Sequence, residues 1–524
     1  MIIDFSWTKK SPFDIKSESS GFEKTAGNIV AAKLPTYDAS IINGSLVLGL
    51  KKTNCIAWVD IPEYEYHDHI IEAKIRLNNL GTYASTGIIF RIMDEDSYYL
   101  ALVSSKGYFR FDAVKNNDPK ALIAWTEISD FDKINIKINI ITYGTHIIFL
   151  INDKWAGEII DDTLPSGRLG FALASYAPDE EPKTAAGYEY TCKAMLDYIS
   201  IDTRTKVITE KYKQYSSNSG IDTESRMRLA ETFAVMGKPL RALEQIKKAW
   251  DSSTAGSSAA KAGSYAAKAG SSAKELLLAA RMSYSLEQYN EAEEYIEEIL
   301  GNWPDSDEGK HAYTEKIKIL NELNKFTELK EFAEKYSGVI DEDTDYYAIM
   351  ARCHWELKEY TVSAEMWEKV FRMNSVNGIY AVNAANALEQ SGKNDEALSM
   401  FMEAGKIFLK EDNISELSGM ISSLSRLGSK NWETRAFIGK WGFSIEDYTL
   451  CEKEFDAAEK LRSAKKPKPD ADPALYYLWG LVHFIKENRK GAIRLLEKAV
   501  KLAPDYELFN TKLEEIKSGS GTKE

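Results

Sequence analysis

Apolar and polar residues alternate with a period of two as far as about Thr203, and β-branched and aromatic side chains dominate there. Such alternation sends successive side chains to opposite faces of a strand. Ser45–Leu50, Ile70–Ile75, Gly87–Arg91, Tyr98–Val103, Tyr108–Phe111, Lys133–Ile141, Ile147–Ile151 and Arg168–Ala174 are predicted strands. Turn residues separate them at 94–97, 105–107, 143–145, 152–153 and 165–167. Many short strands with a turn about every ten residues predict a sandwich or jelly roll. Beyond Asp222 the period becomes helical and Ala, Leu, Glu and Lys take over. The fold class is therefore multidomain, an all-β jelly-roll sandwich followed by an all-α superhelix. The boundaries read as a sandwich at 1–204, a linker at 205–221, a helical solenoid at 222–517 and a disordered tail at 518–524.

Small residues organise the helical half. The phrase Leu286 to Ile296 around Ala292 recurs around Ser363, Ala397 and Ala492. Leu329, Ser363 and Ala397 follow at steps of 34 residues, as do Ala458 and Ala492. A helical period with this repeat length resembles the helix–turn–helix tetratricopeptide (TPR) unit, which stacks into a superhelix because one unit cannot bury its apolar face alone. Tyr476, Trp479, Gly480, Ala492, Leu496, Ala499 and Pro504 give the clearest unit, with a capping helix from Tyr506. The unit around Leu329 is degenerate, with Lys316 where an apolar residue is usual, and residues 412–462 match poorly. Six to seven units fit the spacing. Ala242 and Ala292 are 50 residues apart, and the excess coincides with an Ala/Gly/Ser/Lys-rich insertion at 252–272, predicted to be a flexible excursion.

The strand order carries a second resemblance. Gly87–Arg91, Asp96–Leu100, Trp125, Ile147–Asn152, Trp155–Gly157, Ser166–Phe171 and Met195–Ser200 together resemble the concanavalin A-like lectin/glucanase sandwiches. Within that group the run looks most like the laminin-G-like and 3-keto-glycoside-hydrolase-like domains of bacteria. The resemblance implies a fold and leaves activity open.

Composition changes little in this picture. The net charge of −14 excludes a general nucleic-acid binder, which needs a basic face. Four scattered cysteines with no CxxC spacing read as buried thiols in a reducing compartment. The start of the chain lacks signal-peptide features and no long apolar run appears, so a cytoplasmic location without a membrane span is expected.

Candidate chemistry is sparse. A glucanase of this fold would carry two carboxylates close together on one strand face, whereas Asp94-Glu95-Asp96 sits at a turn. His67 and His69 have metal-ligand spacing on a strand but no third ligand, and read as a surface pair on an edge strand. Asp341–Asp345 lacks the glycine and closing glutamate of a calcium loop. No catalytic set, metal site or cofactor motif is expected. Trp58, Tyr98, Tyr99, Trp125 and Trp155 could face a sugar, although alternation puts about half of them in the core.

In TPR superhelices the first helix of each unit lines the groove. The alignment then places Arg281, Lys318, Arg352 and Asn386 at one inward position of four successive units, with Tyr284, Asn321, Trp355 and Glu389 one turn further on. A cationic row with aromatics suits an acidic peptide or a C-terminal carboxylate. Tyr477, Leu481 and Phe484 form an apolar wall in the last unit that the capping helix should cover. The leading reading is a non-enzymatic adaptor that binds a protein or peptide. Its alternatives are a glycan-binding or carbohydrate-active protein working through the sandwich, and a structural subunit of a larger assembly.

Overall fold

The structure is a computed structural model. It describes residues 32–33, 37–52, 55–79, 83–128, 131–132, 135–176, 192–216, 221–254 and 271–519. Most of the insertion at 252–272 and of the tail at 518–524 therefore lies outside the described residues. The chain divides into two compact units, Met1–Ala312 and Tyr313–Glu524.

The first unit opens with fourteen strands among the described residues. They are β1 (Ala32–Lys33), β2 (Tyr37–Ile42), β3 (Ser45–Leu50), β4 (Cys55–Tyr66), β5 (His69–Asn79), β6 (Tyr83–Asp94) and β7 (Ser97–Ser104). There follow β8 (Tyr108–Lys115), β9 (Asp118–Glu127), β10 (Ile136–Tyr143), β11 (His146–Ile151), β12 (Lys154–Ile160), β13 (Gly167–Tyr176) and β14 (Cys192–Asp202). One antiparallel sheet runs β1-β2-β3-β14-β5-β10-β11-β12, and the other β4-β13-β6-β7-β8-β9. Their inner faces share one core in which Phe111 of β8 meets Phe149 of β11, ring centres 4.6 Å apart. All eight predicted strands are present, the Met195–Ser200 segment lies in β14, and β1, β2, β4, β9 and β12 are additional to the predicted set. Asn43-Gly44, Asn116-Asn117 and Asn152-Asp153 each hold two consecutive positive φ angles between antiparallel strands. Those are the left-handed turns that match strand twist.

The segment expected as a linker is mostly a helix, α1 (Thr205–Ser216). Ile208, Tyr212 and Tyr215 fall at helical spacing on one side; Ile208 is buried, and the two tyrosines pack against the sandwich core. Tyr212 also stacks on Tyr143 of β10 at 4.7 Å. Then come α2 (Thr223–Val235) and α3 (Pro239–Thr254), followed by α4 (Ala273–Ser285), α5 (Tyr289–Asn302) and the start of α6 (Asp307–Glu322). Helix α2 lies along β9 and β12, the edge strands of the two sheets. Ile221, Leu229, Phe233 and Ala242 thereby join the sandwich core, and two unpaired edges are covered.

The second unit continues with α7 (Phe326–Lys335), α8 (Thr344–Glu356), α9 (Tyr360–Met373), α10 (Gly378–Gln390) and α11 (Asn394–Lys410). It closes with α12 (Ile414–Leu427), α13 (Trp432–Ser444), α14 (Tyr448–Ala464), α15 (Pro473–Ile485), α16 (Arg489–Leu502) and α17 (Glu507–Ser518).

Seven hairpins are built alike: α2/α3, α4/α5, α6/α7, α8/α9, α10/α11, α13/α14 and α15/α16. Asp222, Ser272, Ser306, Asp343, Asn377, Asn431 and Asp472 each accept a backbone N–H at the start of the first helix. A side-chain cap of this kind contributes about 1 kcal/mol. Gly237, Glu287, Asn324, Lys358, Gly392, Glu446 and Glu487 then take positive φ in the turn between the two helices. The amide after each returns to a carbonyl five residues earlier, as Glu359 N does to His354 O at 2.8 Å. The aligned residues Ala242, Ala292, Leu329, Ser363, Ala397, Ala458 and Ala492 on the second helices are all fully buried. Close helix approach at those seven positions leaves little room for larger side chains.

Two irregularities have physical causes. Lys316 of the degenerate unit is 2% exposed, and its ammonium lies 3.7 Å from Glu328. Ala397 and Ala458 are 61 residues apart because α12 is a single helix between two hairpins, with Leu417, Met420 and Leu424 in the shared core.

Candidate functional site

The clearest open cleft of the second unit encloses about 460 Å³ between α8 and its neighbours. Asn321 of α6, Ile349, Arg352 and Trp355 of α8, Trp367 of α9 and Asn386 of α10 line it. Four of the eight expected groove residues, Asn321, Arg352, Trp355 and Asn386, come together here. Lys318 is half-buried with its ammonium 3.8 Å from Glu315 and does not line the cleft. Arg281 is exposed on α4 in the first unit, where Tyr284 meets Tyr289 edge to face at 5.4 Å. Glu389 is ion-paired with Arg426 instead of facing the cleft.

Arg352 is exposed and bonds Asn324 Oδ1 at 3.3 Å, with the Phe326 ring 5.8 Å from its guanidinium. Among the described residues no carboxylate lies within ion-pair range of it. Trp355 is held edge to face by Tyr360 at 5.2 Å, and Trp367 is stacked on Tyr380 at 6.1 Å. Trp367 belongs to a second helix, so a rule confined to first helices passes over it. Its spacing to the fully buried Ser363 and Ala364 was the available signal.

Behind the cleft, α7, α8 and α9 are tied by charge. Lys330 and His354 each reach Glu359 at 2.6 Å, and these bonds hold the Glu359 carboxyl below its ordinary range. The neighbouring Cys353 thiol is buried and pushed up to about 11, which leaves it protonated and inert at neutral pH. A wider cleft of about 820 Å³ lies between α11 and α13, where Leu398, Met402 and Phe437 form the floor and Lys406, Glu403 and Lys440 the rim.

In the sandwich, Tyr99 and Trp155 are core residues, while Trp58, Tyr98 and Trp125 share the opposite face of the β4–β9 sheet. Trp58 and Tyr98 lie 5.3 Å apart, and Arg110, paired with Asp112 at 2.8 Å, sits 5.9 Å from the Trp125 ring. Asp94, Glu95 and Asp96 occupy the β6/β7 hairpin tip. The two histidines are not a surface pair on an edge strand. His67 lies in the β4/β5 turn, whereas His69 starts the central strand β5 and is 1% exposed against Tyr66 and Phe90. Among the described residues neither ring nitrogen of His69 has a geometrically sound hydrogen-bond partner, and burial together with nearby Arg91 pushes its pKa down to about 3.

In the last hairpin, Tyr477 stacks on Phe509 of α17 at 4.6 Å, and Phe484 packs with Leu513 and Ile516. The capping helix thus covers the apolar wall. No helix among the described residues is long and apolar enough to cross a membrane.

An antiparallel sandwich followed by capped helical hairpins, with 34-residue steps from Leu329 to Ser363 to Ala397 and from Ala458 to Ala492, has the repeat architecture of TPR proteins. No protein-family model matches the chain. It is 24% identical over 453 residues to a TPR repeat-containing protein of Treponema pallidum (strain Nichols), a match covering 83% of this chain and 51% of that protein. The chain thus spans about half the length of this curated relative. Among solved structures, a TPR protein from Parabacteroides merdae aligns with 12% identity and a TM-score of 0.29, over 56% of this chain and 98% of the other. YrrB, described as a TPR protein with an unusual peptide-binding site, aligns with 18% identity and a TM-score of 0.19, over 41% and 95%. Carbohydrate-binding module CBM66 from Bacillus subtilis aligns with 14% identity and a TM-score of 0.26, over 32% and 91%.

Proposed function

We propose that this chain is a non-enzymatic interaction scaffold whose second unit binds an extended, acidic peptide of a partner protein at the Arg352 cleft. The observation that carries the reading is Arg352 itself, a cation with no carboxylate partner among the described residues, at an open cleft. A guanidinium is a bidentate donor for carboxylates, and the side-chain amides of Asn321 and Asn386 can meet both N–H and C=O groups of an extended backbone. The wider cationic row narrows to this residue, because Lys318 is already paired and lies outside the cleft.

The test is an array of acidic, neutral and basic peptides probed with the full chain. Acidic peptides should be retained, and Arg352→Ala should reduce their binding about tenfold, the value of one charge-assisted bond. Equal retention of acidic and neutral peptides, or undiminished binding by the variant, would sink the proposal.

A second reading, glycan binding by the sandwich, draws on Trp58, Tyr98 and Trp125 sharing one sheet face beside Arg110 and Asp112. Titrating neutral and acidic oligosaccharides against tryptophan fluorescence tests it. A response that survives Trp125→Ala and Trp58→Ala together would reject it.

A further inference from the structure

The cleft of the second unit holds an acceptor that the fold leaves unused. Asn321 is only 5% exposed, its Nδ2 donates to the Glu322 carboxylate at 3.0 Å, and its Oδ1 has no partner among the described residues. A carboxylate only accepts, so turning the amide over would lose that bond. The orphan is therefore fixed as an acceptor, and a buried acceptor without a donor is costly. A donor that reaches it, an N–H or an O–H, would relieve it.

The other walls add chemistry of a different kind. Trp355 and Trp367 are half-buried and present the largest apolar surfaces of the cleft, with Ile349 beside them. Aromatic faces favour another ring in an offset or edge-on arrangement over an aliphatic group of similar size. Among the described residues Arg352 is the one charged residue in the lining.

We propose that the cleft selects an extended segment of a partner protein in which an aromatic side chain stands next to an acidic one. The aromatic ring packs on Trp355 and Trp367, the acidic carboxylate pairs with Arg352, and a backbone N–H of the same segment donates to Asn321 Oδ1. The proposal rests on the peptide-scaffold reading and narrows it from an acidic ligand to an aromatic-acidic one.

The test uses the full chain and acetylated, amidated nine-residue peptides of Gly and Ser that carry one Asp beside Phe, Leu or Ala. Affinity is read by fluorescence anisotropy, with thermal melts confirming that each variant folds. Phe should exceed Ala by about tenfold, with Leu between them. Trp367→Leu, which keeps an apolar side chain, should remove most of the Phe preference and retain the need for Asp. Asn321→Leu should weaken all three peptides alike, by about fivefold, since it deletes a backbone contact. If Phe and Ala peptides bind equally while both still require Asp and Arg352, the aromatic selection is overturned and the scaffold reading stands. If no peptide binds, both are overturned.

Discussion

Arg226 of α2 lays its guanidinium 4.6 Å from the centre of the Trp155 ring of β12. This contact joins the first helical hairpin to the sandwich. The same guanidinium donates to Gln245 at 2.6 Å and to Glu158 at 3.3 Å, and its side chain is 1% exposed. Burial pushes the Glu158 carboxyl up, but Lys248 and Arg226 outweigh it and hold the group below its ordinary range.

Removing one member of such a cluster leaves its counter-charge buried and under-paired. Arg226→Met should therefore destabilise the protein by roughly 2–4 kcal/mol, read from chemical denaturation. Pairing it with Glu158→Gln should recover part of that loss, because the stranded charge goes too. A loss below about 0.5 kcal/mol would show that the contact does not hold hairpin and sandwich together.

His69 makes stability depend on pH in a defined window. Its pKa is about 3 in the fold and 6.5 when exposed, so between these values the unfolded chain binds the extra proton. Stability must then fall as pH drops from about 6.5 towards 3, by up to about 1.4 kcal/mol per pH unit from this group. Asp68, His67 and Arg91 are the charged groups that act on it, and their contributions are smaller than burial. His69→Leu should remove this component, so its stability relative to wild type should rise steadily from pH 6.5 to pH 4. A constant difference would show that the ring titrates normally.

The hairpin turns offer a stabilising change. Lys358 holds a φ of 62° at the position where Gly237 and Gly392 serve in other hairpins. A side chain in the left-handed region costs roughly 1 kcal/mol, part of which glycine's extra freedom in the unfolded chain offsets. Lys358→Gly should therefore gain about 0.5 kcal/mol, and Gly392→Lys should lose a similar amount, in urea melts. A loss on Lys358→Gly would mean that the lysine stem contributes more than the backbone strain.

Much of this architecture was legible because buried small residues leave a rigid spacing. Leu329, Ser363 and Ala397, and likewise Ala458 and Ala492, sit at full burial, and their 34-residue steps locate the hairpins. Where a helix stands alone, as α12 does, the spacing breaks and the reading fails with it. Strands β9 and β12 were passed over because Pro119 and Gly157 interrupt their alternation, and β12 is also displaced by a register shift opposite Phe149 and Leu150. The α1 helix was hidden by its polar surroundings, although Ile208, Tyr212 and Tyr215 carry its buried stripe. At the cleft, first-helix residues were found through the repeat. Trp367 and the unpartnered state of Asn321 depend on how two hairpins meet, which no single repeat encodes.

The last hairpin shows what a terminal helix does for a repeat array. Each repeat exposes an apolar face that a neighbouring element must cover. Here α17 supplies Phe509, Leu513 and Ile516, which cover Tyr477 and Phe484. Phe509 is 6% exposed and stacked on Tyr477, so Phe509→Ala removes a buried ring worth roughly 3–5 kcal/mol in an interior setting. A terminal helix can detach locally before the whole unit unfolds, so the global loss should be smaller than that figure. The missing energy should appear as helix detachment, seen as faster amide exchange across α17 with the other hairpins unchanged. Detachment would bare Tyr477 and Phe484 together, a contiguous apolar patch that favours self-association. Sedimentation of the variant should then show a larger concentration-dependent increase in mass than that of wild type. A variant that keeps α17 protected and stays as monodisperse as wild type would show that Leu513 and Ile516 alone hold the cap.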